Sequence, residues 1–481
     1  MRVALLSQNI SVFFIITPLL MGFFSFLFKG NYEKVVQKVY LGLAISLFCI
    51  SVWSIFYFDL FSGKSILSVV GGWSKAIGIE LKFNLKNVLV VSSLILIFVV
   101  FLATNLNGDV NYRFRGFACV MLCGANGLAL TNDVFNTYVF FEIVCITTYI
   151  VYAYGEKKEG IKNAYNYMIL SSFAGVVFLM VLCFLYQITG NLNVDLIHQI
   201  IINAKGNKTI DACFVLFILV MIIKLGVYPF HGIVSGIYKN LSVNFLIIVA
   251  GISSIIYPVF ILKFIADLFG VEFFLRNEYL CVLLKVIGGV GFVFFNIVAL
   301  LTTSFLHFIV YLSFVQTSLF VFCLPYIASS SVLNGVYFAI IANSILKVCL
   351  LGLVYKIFSS VSIDDIKKTS IKLISSNKIK YLIVLSLFFM SGMPVSLVFI
   401  SKIYILLGVL NSAGIILWVL FLISGFVIEM FSCFSVIREI LSQKTENSLL
   451  YNISLSKTFS IITFLAITIV VVSSVMCYYV R

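Results

Sequence analysis

Thr131-Asn-Asp-Val-Phe-Asn-Thr-Tyr-Val-Phe-Phe-Glu-Ile143 decides how this chain is read. It opens an apolar run from Val134 to Tyr154 and sets one carboxylate, Glu142, in the middle of it. Asp133 and Glu142 are separated by about 13 Å at a helical rise of about 1.5 Å per residue. That is nearly half of a hydrocarbon core about 30 Å thick. An acid at that depth costs about 2.5–3.5 kcal/mol on insertion scales and needs a partner or a water-filled cavity. Such acids mark ion pathways by default; the competing reading is a structural acid bonded to a neighbouring helix.

The rest of the composition agrees with a membrane setting. Hydrophobic residues make up 62% of the 481 residues and charged ones 10%, against about 25% charge in an ordinary soluble domain. The net charge of +14 could suggest nucleic acid, but the lysines lie mostly in short connections between apolar runs and read as topology signals. No nucleic-acid partner is therefore expected. The 11 cysteines are scattered, some inside apolar runs (Cys183, Cys349), and there are 3 histidines. Without a C-x-x-C pair, neither a metal site nor a disulfide framework is expected, and no sequence of haem, nucleotide or zinc type suggests a cofactor.

The fold class expected is an all-α polytopic membrane protein. Residues 1–28 read as a retained first span and not as a signal peptide, because the run is long, holds Pro18 and lacks an A-x-A site. Further spans fall near 39–58, 88–103, 117–130, 134–154, 164–188, 212–230, 246–269, 279–301, 305–327, 332–355, 383–410, 415–437 and 458–479. That gives about fourteen transmembrane helices at roughly twenty apolar residues per crossing. Lys29/Lys34/Lys38, Arg113/Arg115, Lys157/Lys158/Lys162, Lys367/Lys368/Lys372/Lys378/Lys380 and Lys444 fall in odd-numbered connections. Positive-inside then puts those connections in the cytoplasm and both termini outside. The longer second connection, with Lys64, Lys75, Lys82 and Lys86, is a counter-signal that the other loops outvote.

Lys224, Lys347 and Lys402 lie within spans. A lysine near a helix end can snorkel to the headgroups, which is the reading for Lys263, Lys285 and Lys356. Lys347 and Lys402 fit it poorly, each about 12 Å from the nearer end of its span; Lys224 is closer to an end. Pro229 follows Lys224, and Pro394 precedes Lys402. Each proline marks a helix break, tolerated at membrane depth only where backbone is buried in protein or lines a wet cavity. Broken helices at matching positions in two halves suit a transporter. In general, burial disfavours a lysine's charged form and a nearby carboxylate restores it. A file of such groups can therefore take up and release protons as spacing or hydration changes.

Gly124-Ala-Asn-Gly-Leu-Ala-Leu-Thr-Asn-Asp-Val-Phe-Asn-Thr-Tyr-Val-Phe-Phe-Glu142 closely resembles a signature of the proton-translocating antiporter-like subunits. These subunits are shared by respiratory complex I, membrane-bound hydrogenases and Mrp-type Na⁺/H⁺ antiporters, and the form here is most similar to the Mrp D subunit. Gly71-Gly-Trp73, Gly78-Ile79, Thr189-Gly-Asn-Leu-Asn193, Lys224 through Pro229-Phe-His231 to Tyr238, Lys347, and Gly392-Met-Pro394 to Lys402 agree in order. The resemblance implies two inverted repeats of about five helices each. The corresponding division is 1–110 for the first helices, 111–270 and 271–440 for the repeats, and 441–481 for a last helix. It also implies that Glu142 pairs with Lys224, that Lys347 is a central relay and that Lys402 is the exit lysine.

The chain departs from the family pattern where Ile255 stands for a usual lysine, Asn343 for a frequent histidine, Leu306-His307 for a basic pair, and Ile233, Ser235 and Gly236 for tryptophan, proline and aspartate. Losing the lysine at Ile255 removes a link between the two half-paths. Accessory candidates are Glu429 as an exit acid or an interhelix bond, Asp133 as a helix cap, and His307 and His231. His198 reads as solvated in the 191–208 loop. Two functions remain: a cation/proton antiporter subunit of the bacterial inner membrane, or a proton-pumping subunit of a redox complex such as complex I or a hydrogenase. A third reading is an assembly subunit whose path has decayed. The first two imply other membrane subunits as partners, protons and Na⁺ as cargo, and lipid contact; in either case this chain carries no electron chemistry of its own.

Overall fold

The computed structural model describes residues 2–28, 33–74, 78–106, 111–153, 158–204, 207–232, 234, 236, 243–358, 377–412, 416–441 and 457–476. Lys29, Lys75, Lys157, Lys367, Lys368, Lys372 and Lys444, used above for topology, lie outside the described residues, as do Ile233, Ser235 and Tyr238. The all-α membrane class holds: 10 helices among the described residues are long and apolar enough to cross a bilayer. By packing, the chain falls into two compact units, Met1–Leu225 with Ile255–Phe274, and Gly226–Ser254 with Leu275–Arg481.

The first unit begins with α1 (Arg2–Leu27) and α2 (Glu33–Tyr57), followed by a β-hairpin, β1 (Ile66–Val69) and β2 (Glu80–Phe83). Then come α3 (Leu85–Thr104), α4 (Tyr112–Leu130), α5 (Val134–Ala153), α6 (Lys158–Thr189), α7 (Val194–Asn203) and α8 (Lys208–Leu225). Asn84 starts α3 by accepting the Asn87 N–H at 2.8 Å, a standard N-cap. From Val88 on, α3 is almost wholly buried, as expected of a helix that is apolar all round and lies inside a bundle.

The hairpin lies in the second connection, where only a long glycine-containing loop is visible in the sequence. It forms because Ile66 to Val69 pair antiparallel with Phe83 to Glu80 and because Glu80, fully buried, finds donors on two other segments. Its Oε2 accepts from Asn132 Nδ2 at 2.9 Å and Asn193 Nδ2 at 2.7 Å. Backbone bonds follow the same route: Asn132 N to Glu80 O (2.7 Å), Val194 N to Asn132 O (3.0 Å) and Val134 N to Leu192 O (2.9 Å). The Thr131–Asp133 segment is thus held between the hairpin and the start of α7, which fixes where α5 begins.

Arg115 does not belong to a solvated loop. It lies in the first turns of α4, buried, with Gln37 Oε1 at 3.2 Å and Ser25 Oγ at 3.4 Å from its guanidinium, and the Tyr40 ring centroid 5.6 Å away. The planar guanidinium finds acceptors and an aromatic face on α1 and α2, so it stays inside. Its value as a topology signal lapses.

The chain continues through α9 (Val243–Lys263), a π-turn at Phe264–Phe269, and α10 (Val271–Arg276). The second unit is then built from α11 (Glu278–Leu301), α12 (Phe305–Cys323), α13 (Ser330–Phe358), α14 (Asn377–Met390), α15 (Leu397–Ser412), α16 (Ile416–Leu441) and α17 (Lys457–Met476). In it α11 packs on α12 and α16, α13 on α14 and α15, and α14 on α16. Two interruptions matter. Helix α8 stops at Leu225, Gly226 follows at φ 62°, and Pro229 lies in the turn beyond. Helix α14 stops at Met390 and α15 starts at Leu397, with Gly392 (φ 83°) and Pro394 between.

Candidate functional site

In the first unit Glu142 and Cys145 on α5 are three residues apart, and Tyr149 follows four later, so all three share one helix face. Opposite them on α6 stand Ser171 and Gly175, also one turn apart. The Glu142 carboxylate occupies the place that a side chain at position 175 would need; glycine is what lets it sit against α6. Lys224, in the last turn of α8, is buried. Its ammonium donates to Ser171 Oγ, and to Cys145 Sγ at 2.9 Å. It also stands 4.6 Å from the Phe141 ring centroid, a cation–π arrangement. Tyr149 donates to the same Ser171 oxygen at 2.6 Å.

Glu142 and Lys224 therefore both stand against α6, at Gly175 and Ser171, without the direct contact that the resemblance implied. The reason is the spacing on α6. It offers a hydroxyl to the lysine and an open place to the acid, about 6 Å apart along the helix at about 1.5 Å per residue.

In the second unit Lys402, on α15, is buried and stands 2.9 Å from Glu429 Oε2 on α16. It also donates to the Ser391 carbonyl at 3.0 Å, one of the carbonyls orphaned where α14 ends. Phe426 lies 5.0 Å away beneath it. Gly392 clears room for the lysine's last carbons and ammonium, since a Cβ there would come within 2.9 Å of Nζ. Glu429 Oε1 accepts from Gln316 Nε2 at 3.0 Å, and Gln316 Oε1 accepts from Asn343 Nδ2 at 2.8 Å. Asn343 is one turn before Lys347 on α13. Lys347 is buried and makes no hydrogen bond or ion pair among the described residues. Ser344, beside Asn343, shares a hydrogen bond of 2.7 Å with Ser254, the residue preceding the buried Ile255.

The accessory candidates separate. Asp133 caps α5, accepting the Asn136 N–H at 2.7 Å. Glu429 is the ion-pair partner of Lys402. His231 is packed against aromatic rings, with the Phe295 centroid 5.1 Å and the Tyr228 centroid 5.8 Å away. His307 lies in the first turn of α12.

Two residues differ from their sequence reading. His198 lies on α7, not in a loop, with Nδ1 3.0 Å from the Leu268 carbonyl. Lys263 does not reach for headgroups: it is buried and donates to the Thr131 carbonyl, an acceptor left free just past the end of α4. Ser171, Tyr149, Gln316 and Glu80 gave no signal in the sequence, because hydroxyls and amides occur throughout such helices and Glu80 reads as part of a loop.

Fold and site together define a polytopic helical membrane protein that keeps lysines and carboxylates inside its bundle at interrupted helices. Residues 131–428 match the family described as NADH:quinone oxidoreductase/Mrp antiporter, TM, and the chain belongs to that family of antiporter-like membrane subunits. It is 26% identical over 229 residues to the D subunit of the Na⁺/H⁺ antiporter of Alkalihalophilus pseudofirmus, covering 47% of this chain and 46% of that one. Such alignments span about half the length of the curated relatives. Its fold is similar to a chain of the membrane-bound sulfane sulfur reductase, an archaeal respiratory complex (TM-score 0.82, 19% identity, 100% of this chain and 96% of that one). It is equally similar to a chain of the Mrp complex of Dietzia sp. DQ12-45-1b (TM-score 0.82, 14% identity, 98% and 95%). A chain of respiratory complex I of Thermus thermophilus follows (TM-score 0.79, 13% identity, 96% and 95%).

Proposed function

We propose that this chain is the proton-conducting subunit of a multisubunit cation/proton antiporter, with Na⁺ as the exported cation. Protons move by way of Glu142 and Lys224 in one unit and Lys347, Lys402 and Glu429 in the other. The observation that carries this reading is the pair of buried lysine centres, each beside an interrupted helix and each with a carboxylate in reach of its charge. An uncompensated charge at such depth is too costly to persist without use or partner, and both lysines have polar neighbours between which a proton can be held or released. With Ile255 in place of a lysine, water is the link that this reading requires between the two half-paths. On this reading the chain is a transporter subunit and not an enzyme. It works in the bacterial inner membrane with both termini outside, among partner subunits and lipid.

A second reading, a proton-pumping subunit of a quinone-reducing or hydrogenase complex, is favoured by the family's breadth and the complex I fold match. Everted membrane vesicles holding the intact complex separate the two. The antiporter reading expects Na⁺ addition to dissipate a pre-formed pH gradient without any electron donor, and Glu142→Ala or Lys224→Ala to abolish that response. A gradient that responds only to a redox substrate would favour the second reading. Unchanged Na⁺-driven flux in both variants would remove the pair from the path.

A further inference from the structure

We propose that Tyr149 and Ser171 form a hydroxyl relay that carries protons between Lys224 and the Ala153 end of α5. The inference rests on the reading above that Lys224 exchanges protons. Three groups stand in consecutive hydrogen-bond contact: Tyr149 OH on Ser171 Oγ at 2.6 Å, and Lys224 Nζ on the same oxygen. Ser171 is buried while Tyr149 is half-buried, so the line runs between a partly exposed group and an enclosed one.

Lys224 has a second polar neighbour, Cys145, whose Sγ is 3.9 Å from Tyr257 OH. That branch ends blind, because Tyr257 is 3% exposed. The contact there is long, and a thiol is a weak donor and acceptor. Glu142 lies on the same face of α5, seven residues toward Val134 from Tyr149.

The transfer balances. A hydronium proton binds the Tyr149 oxygen as the original Tyr149 O–H proton passes to Ser171 Oγ. The original Ser171 proton passes to the neutral Lys224 amine, so three bonds to hydrogen break and three form. Water remains at the start and an ammonium at the end. In the immediate product Ser171 donates to Tyr149; once both hydroxyls turn, Lys224 and Tyr149 both donate to Ser171, the arrangement in the structure, and discharge of Lys224 runs the same steps in reverse.

The test uses the intact complex in everted vesicles, with Na⁺ added as the cation and the chain's level measured by blotting. Ser171→Ala and Tyr149→Phe each remove one hydroxyl without adding bulk, and each is expected to slow proton flux about ten-fold or more. Ser171→Thr keeps the hydroxyl and should run within about two-fold of the parent. Lys224→Ala should abolish flux. Wild-type flux in Ser171→Ala and Tyr149→Phe beside a dead Lys224→Ala overturns the relay and leaves the role of Lys224 standing. Wild-type flux in Lys224→Ala overturns both. A Ser171→Thr chain as slow as Ser171→Ala assigns the position to packing and also overturns the relay.

Discussion

Lys402 and Glu429 form a buried ion pair, and a buried pair is judged by what happens when half of it goes. Two charges removed from water repay their desolvation only through each other and through further hydrogen bonds. Here Gln316 and the Ser391 carbonyl supply those bonds. Glu429→Ala should therefore destabilise the solubilised chain by about 3–5 kcal/mol, while the double variant Lys402→Met/Glu429→Leu should recover most of that loss. Denaturant midpoints of the purified protein read this, and a double variant as unstable as the single one would contradict the pairing. At this scale the sequence was informative where a charge stood in an apolar run. Glu142, Lys224, Lys347 and Lys402 could be picked out as charges standing inside apolar runs. Their partners could not. Ser171, Cys145 and Gln316 are ordinary in a membrane helix, and only the facing of α6 on α8 or of α12 on its neighbours makes them matter.

Among the elements, the hairpin β1–β2 does most to place the first centre. The Thr131–Asp133 segment is pinned on one side by Glu80 and on the other by Asn193, so α5 starts at a fixed height. Glu80→Ala removes an acceptor serving two amide donors inside the protein. Asn132 Nδ2 keeps a second acceptor in Asp195 Oδ2 at 3.0 Å, so the loss falls mainly on Asn193, and about 2–3 kcal/mol is expected from the value of a hydrogen bond to a charged group. Thermal unfolding of the purified chain measures it, and an unchanged midpoint would show that the hairpin is not what holds the segment. The helices themselves were largely legible, because long apolar runs admit few alternatives. The hairpin was not, since four-residue strands flanked by glycine and lysine look like any loop until they pair. Lys263 was misread for a related reason: whether an end-lying lysine snorkels depends on whether a free carbonyl, here that of Thr131, stands within its reach.

Across the molecule, each of the two packing units encloses two buried lysines, Lys224 and Lys263 in the first and Lys347 and Lys402 in the second. That duplication is what the paired prolines suggest in the sequence, although the prolines do not reveal that the breaks lie where they clear space for Lys402 or end the helix carrying Lys224. The departures at Ile255 and Asn343 also gain meaning here. Asn343 and Ser344 precede Lys347 by about one turn of α13, an amide and a hydroxyl that carry no charge of their own. In the proposed path Lys347 is the relay of the second unit. The most direct measurement is Na⁺-driven proton flux in everted vesicles containing the intact complex with Lys347→Met, a change that keeps the side chain's length and removes its charge. Flux is expected at the level of vesicles lacking the complex, with the subunit present in normal amount; flux equal to the parent's would contradict a proton path through Lys347.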